Sequence, residues 1–312
     1  MSRLLVRLQT WSAAALLLIM FPMPSVGYTN HKISPSEVYT QAVQIEKELA
    51  ILSKYFIIPG KPELFEPFIA NLQPRHVWQK SYFILVKLNL LRSKHGLPTI
   101  PPSAIQPVQQ LDPVLVYEQT QRILTEIAII KKRLGVDEKV SPAKAEVGKQ
   151  PTDVFNKLHQ ISLAIDKLNH APISPSSVFA EAMRVYEDVN TLISHLQLDN
   201  TTFPPAKLEN ITPMDSMDAT FGLIKEIQRL QRDMVIPRTD FTSFKNQRTI
   251  EPADVFNMVG MCLAELQTIK AALDLSTEVT PQAKFYTNKK PADVHQLIRW
   301  ITRKLQQIQT VR

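Results

Sequence analysis

The chain of 312 residues holds one cysteine, Cys262. A single thiol excludes an internal disulfide framework and any zinc site built from several cysteines. Glycine is scarce as well, at 7 residues against 23 prolines. So few glycines predict few left-handed turns, few loops that cradle phosphate and little tight strand-to-strand turning. The common catalytic signatures are also missing. There is no G-x-S-x-G, no G-x-x-x-x-G-K-[ST], no H-E-x-x-H and no G-x-G-x-x-G. The seven histidines never stand three or four apart, and no Glu-x-x-His pair marks a di-iron bundle. No metal site and no cofactor is expected from these residues. Beyond the first 27 residues no apolar run is long enough to cross a membrane; the longest, 82–91, carries Lys87 and Asn89.

The chain does begin with an address. Arg3 and Arg7 make a basic start, residues 11–20 form an apolar run, and Ser25-Val26-Gly27 supplies small residues at a cleavage point. That order is the pattern of a signal peptide over residues 1–27. The run is short for a membrane span, and Pro22 and Pro24 stand just beyond its end. No cysteine stands near Gly27, which excludes a lipoprotein anchor. Cleavage there would lower the formal net charge of +7 to about +5. An exported chain with a lone thiol is expected in a periplasm or outside the cell.

The main feature is a repeat. Prolines recur at Pro35, Pro74, Pro113, Pro151, Pro175, Pro213, Pro252 and Pro291, separated by 39, 39, 38, 24, 38, 39 and 39 residues. Valine stands three residues after each, except for Ser216 in the sixth. Proline suits the first position of a helix, where its missing N–H is not needed and its φ is preset. Ser34, Asp112, Ser174 and Thr212 precede their prolines as side-chain caps. Glu37, Asp153, Asp215, Asp254 and Asp293 stand two residues after theirs, where a carboxylate meets the free N–H groups of a helix start. Those acids are assigned to capping rather than to catalysis.

Each start opens a 3–4 spaced apolar seam. The third, seventh, tenth, fourteenth and seventeenth residues after the prolines are apolar at 36 of 40 positions, where a 44% composition predicts about 18. The fold is therefore expected to be all-α: a repeat of about eight helices with a period of about 39 residues and extended, proline-rich linkers. The short gap between Pro151 and Pro175 breaks the ladder into two sets of four. Two tandem four-helix bundles are favoured over one continuous array, with units at 28–172 and 173–312. Helices four and five are expected to form a tight antiparallel hairpin. A linker of about 15 residues reaches about 50 Å, enough to run back along a helix or to wrap a bundle end, so helix directions stay open.

Chemistry is sparse. The four seam positions that are not apolar are hydroxyls, Ser81, Thr120, Ser216 and Thr220. They serve either to bond a carbonyl one turn back or to line a polar ligand pocket. Cys262 lies on the seam and reads as a buried structural thiol. The histidines read as exposed or partly packed. The last segment, with Lys289, Lys290, Arg299, Arg303, Lys304 and Arg312, is basic, and the seventh repeat is acidic, which suggests neighbouring helices of opposite sign. A basic last helix also suits an anionic surface or membrane periphery. Nucleic acid is not expected as a partner. The leading expectation is an exported, non-enzymatic scaffold that binds another protein; a small-ligand sensor or carrier is the alternative.

Overall fold

A computed structural model describes residues 32–58, 65–102, 107–170, 173–245 and 249–308. The expected signal segment 1–27 lies outside these residues. Every proline of the ladder opens an α-helix: α1 Pro35–Tyr55, α2 Pro74–Lys94, α3 Pro113–Arg133, α4 Pro151–Asn169, α5 Pro175–His195, α6 Pro213–Asp233, α7 Pro252–Ala272 and α8 Pro291–Gln306. A short 3₁₀ turn, Thr242–Lys245, is the only other helical element among the described residues, and they contain no strand.

Asp112, Ser174 and Thr212 accept a backbone N–H as side-chain caps, whereas the Ser34 hydroxyl donates to Glu37 instead. The backbone N–H groups of Ser34, Gln150, Thr212, Glu251 and Lys290 donate to Glu37, Asp153, Asp215, Asp254 and Asp293 at 2.7–2.9 Å. In α2 a histidine takes the acid's place: Gln73 N–H donates to His76 Nδ1 at 2.8 Å. All forty seam positions are buried, the four hydroxyls among them.

The helices assemble as two quartets. In the first, α1 packs on α3 and α4, and α2 also packs on α3 and α4; in the second, α5 packs on α7 and α8, as does α6. Within each quartet all four helices run in the same direction. Pro35, Pro74, Pro113 and Pro151, with the valine after each, ring one end of the first quartet. Pro175, Pro213, Pro252 and Pro291 ring one end of the second.

Parallel helices of about 30 Å need connections that return the full helix length. Linker 134–150 runs backwards along α1. Ala143 N–H donates to Gln44 Oε1 at 2.8 Å, Glu146 N–H to Thr40 Oγ1 at 3.0 Å, and Lys149 N–H to Ser36 Oγ at 3.0 Å. Helix side chains thus satisfy a backbone that has no strand beside it. The last linker repeats the arrangement on α5, with Lys289 N–H on Ser176 Oγ at 3.0 Å and Arg184 Nε on the Pro281 carbonyl at 2.9 Å. The two quartets superpose in sequence at a shift of 139 or 140 residues, and both belong to one compact unit, Ile33–Arg312.

Two expectations need correction. Scarce glycine did not mean few left-handed turns. Six helices end in the same motif, with a left-handed residue followed by an apolar one whose N–H closes on a carbonyl five residues back (Ile58, Leu97, Val136, Leu198, Ile236 and Leu275). The left-handed position is glycine only at Gly96 and Gly135; elsewhere it is Ile57, Gln197, Val235 or Asp274. Nor do helices four and five form a hairpin. Helices α4 and α5 make no contact, because each is committed to its own quartet.

The quartets meet through α2 and α7. Arg75 lies against Glu265, Lys80 against Asn257 and Phe83 against Phe256, so these helices run antiparallel. The pairing is between unlike places in the repeat, because the counterpart of α2 is α6 and that of α7 is α3.

Candidate functional site

Among the described residues the α2–α7 seam gathers a dense set of buried polar and charged side chains. Residues 255–270 of α7 are all buried, and α2 is buried on most of its surface. A helix enclosed on every side is expected to be apolar on every side. Here α7 encloses Glu265 and Lys270, and α2 encloses His76, Lys80, Lys87 and Arg92. Buried charges need partners, so each one marks a specific contact.

Glu265 is the central node. Its Oε1 accepts from Arg75 Nε at 3.0 Å, from Arg75 Nη2 at 2.9 Å and from His76 Nε2 at 2.6 Å. Its Oε2 accepts from Gln231 Nε2 at 2.6 Å. Burial alone would raise the carboxyl's pKa. The His76 hydrogen bond, the Arg75 charge and the Gln231 amide outweigh it and hold the group at about 2. Because His76 Nδ1 accepts the Gln73 N–H, the ring is neutral and Nε2 carries the proton. Burial keeps it neutral, lowering its pKa despite the carboxylate beside it. Both side chains are fully enclosed, so this pair fixes the register of the two quartets.

Lys80 is the odd member. Its Nζ lies 3.1 Å from His159 Nδ1 and 3.3 Å from Asn257 Oδ1, between the rings of Phe83 and Phe155, with no carboxylate in hydrogen-bond reach. Burial, reinforced by the charge on Lys87, pushes its pKa well below the ordinary lysine range. His159 is pushed down in turn, by burial and then by both lysines. Lys87 is better served, with Asp166 at 2.5 Å and Ser162 Oγ at 2.7 Å. Nearby, Lys270 bonds Asp188 at 2.8 Å, and Arg184 bonds Glu181, which also accepts from Gln79. A cavity of about 20 Å³ lies between Arg75, Gln79, Arg184 and Gln267, large enough for one water.

The four hydroxyls singled out in the sequence are not brought together. Ser81 Oγ donates to the Val77 carbonyl at 3.0 Å and Thr220 Oγ1 to the Ser216 carbonyl at 2.7 Å, each one turn back. Thr120 Oγ1 lies 2.7 Å from the Tyr117 carbonyl and 2.8 Å from Gln41 Oε1. Ser216 Oγ lies 3.4 Å from the carbonyls of Thr212 and Pro291, beside the proline ring of its quartet. Ser81 and Thr120 belong to the first quartet, the other two to the second. Cys262 is fully buried, and burial raises its pKa.

The structure corrects two charge readings. His76 and His159 are buried working members of the seam, not exposed or loosely packed side chains. The signal for His76 was in the sequence: it occupies the position that holds a capping acid in five other helices. The acidic α7 and basic α8 are not neighbours either, because they lie diagonally in their quartet. Glu265 of α7 finds its cation on α2, in the other quartet. In α8, Lys304 is fully buried and bonds Asn200 Oδ1 at 2.7 Å, and Arg312 lies outside the described residues.

Open space lies on the second quartet. A groove of about 710 Å³ separates the end of α6 from the linker after it, and one of about 440 Å³ lies between α6 and α8. Among the described residues no three His, Cys, Asp or Glu side chains are grouped to hold a metal ion, and no helix is long and apolar enough to cross a membrane. No protein-family model, curated protein or solved structure matches the chain.

Proposed function

We propose that the chain is an exported, non-enzymatic scaffold that binds another protein through its returning linkers. One observation carries this reading. Among the described residues the six most exposed large apolar side chains, Ile57, Ile69, Val147, Phe203, Val235 and Phe285, are 80–91% exposed and all lie on linkers. The helices spend their apolar faces on the quartet cores, whereas the linkers turn apolar side chains outwards. Extended, proline-containing segments with exposed anchors suit contact with a partner surface at low ordering cost. The hydroxyls proposed for a ligand pocket are spent on helix carbonyls, which weighs against the carrier alternative.

The test is site-specific photo-crosslinking in the native host. Probes at Phe203 and Phe285 are expected to form an adduct with a discrete protein, and probes at the helix positions Leu90 and Ile129 are expected to form none. Absence of adducts from the linker probes, with the protein correctly folded, would contradict the scaffold reading.

A further inference from the structure

The larger groove is lined by four cations and one carboxylate. Its wall on α6 presents Lys225 and Arg232, and the linker opposite presents Arg238 and Lys245. All four are exposed. Lys225 and Arg238 have no acidic partner among the described residues, and Arg232 reaches only Asp233, at 3.8 Å. Lys245 Nζ lies 4.6 Å from the centre of the Phe221 ring, which forms part of the floor. The one carboxylate in the lining, Asp240, already accepts from the N–H and hydroxyl of Thr242.

The first quartet supplies an internal control. Linkers 95–112 and 234–251 have equal length, and the same side-chain strut holds each in place. Asn89 Oδ1 accepts from Ile100 N–H at 2.9 Å, and Gln228 Nε2 donates to the Thr239 carbonyl at 2.7 Å. At the places of Lys225, Arg232, Arg238 and Lys245 the first quartet has Val86, Ser93, Thr99 and Gln106. The first quartet's arginines at this corner are spent on the fold, with Arg92 Nε on the Pro98 carbonyl at 2.9 Å and Arg122 Nη2 on the Pro101 carbonyl at 3.0 Å. Lys225 and Arg238 make no such bond among the described residues, so their charges are left for something other than the fold.

We propose that this groove binds an acidic, extended peptide segment of another protein, with an apolar side chain over the floor and carboxylates on the four cations. This inference rests on the scaffold reading and names the chemistry of its partner. Extended backbone suits the site because the N–H groups of residues 238–241 pair with no other backbone carbonyl among the described residues. A nucleic acid would need exposed rings for stacking, whereas Phe221 and Phe241 are buried. A membrane surface is flat, whereas these cations line a concavity.

The probe is a fluorescein-labelled nonapeptide of glutamates around one central phenylalanine, read by fluorescence anisotropy on the full chain. Saturable binding that weakens with added salt is expected, with no binding of the matching lysine peptide. Lys225→Glu with Arg238→Glu is expected to weaken binding roughly tenfold or more. Arg299→Glu with Arg303→Glu, in the smaller groove, is expected to leave it unchanged. Lys225, Arg238 and Arg303 are exposed and Arg299 is half-buried, and an unaltered melting temperature confirms that each variant folds. No binding, or equal loss with both pairs, would overturn the groove assignment. Tighter binding of phosphatidylglycerol vesicles or of a single-stranded oligonucleotide would overturn the peptide assignment. Linker crosslinks that persist in the Lys225→Glu, Arg238→Glu variant would leave the scaffold reading standing without this groove.

Discussion

In the first quartet Arg92 of α2 bonds Glu126 of α3. At the same two places in the second quartet stand Gln231 of α6 and Glu265 of α7, still joined at 2.6 Å, but the arginine is gone. The guanidinium that balances Glu265 comes from Arg75, across the seam. By contrast, the pair Lys131–Glu48 of the first quartet is kept as Lys270–Asp188 in the second, within the quartet both times. The difference teaches how two copies of one plan become a single body. A carboxylate inherited from the repeat is left short of its cation, and the neighbouring quartet supplies it. Breaking such a pair leaves a buried charge unanswered, which makes the contact specific whatever its net contribution.

The largest expected effect comes from removing that cation. Arg75→Met should destabilise the chain by about 3–5 kcal/mol in denaturant titration, whereas truncating the exposed Lys54, paired with Glu138 at 3.5 Å, should cost well under about 1 kcal/mol.

The seam should also make stability depend on pH. His76 and His159 stay neutral when folded, and both take a proton below about pH 6.5 when unfolded. The unfolded state then binds more protons, so stability should fall as pH drops from 7 towards 5, by up to about 1.4 kcal/mol per pH unit for each histidine. His159→Gln should flatten the slope; a slope unchanged in that variant would remove His159 from the seam's account.

Lys80 tests the comparison from the other side, because Ala219 stands in its place in the second quartet. Lys80→Met should stabilise by about 1–3 kcal/mol near neutral pH, since no carboxylate loses a partner. Its lowered pKa means that the unfolded chain alone holds that proton up to about pH 10.4, so wild-type stability should rise with pH through that window. The Lys80→Met variant should lose that rise. The smallest effect concerns Val235, a β-branched residue at φ 57° where the first quartet has Gly96. Val235→Gly should stabilise by about 1 kcal/mol, and Gly96→Ala should destabilise by a similar amount.

The helices and their cores were legible because proline, cap and 3–4 spacing all mark the same boundaries, as the burial of Val154, Leu158, Ile161, Ile165 and Leu168 illustrates. The return of the linkers was not, because hydrogen bonds such as Glu146 N–H to Thr40 involve backbone that carries no pattern. The seam was hidden for a related reason: α7 is buried on every face, so its periodicity marks one neighbour and is silent about the other. His76 was visible as an exception at a capping position. The basic groove becomes visible only when the quartets are compared place by place, since Lys225 and Arg238 are unremarkable surface residues taken alone.

The shared plan with a redistributed cation is tested most directly by a double-mutant cycle on Arg75 and Gln231, read as unfolding free energy. Gln231→Arg alone should destabilise, since Glu265 would then face two guanidinium groups. In the Arg75→Met background the same change should restore stability by about 2 kcal/mol or more, because it recreates the Arg92–Glu126 arrangement in the second quartet. An effect of Gln231→Arg that is the same in both backgrounds would contradict the account.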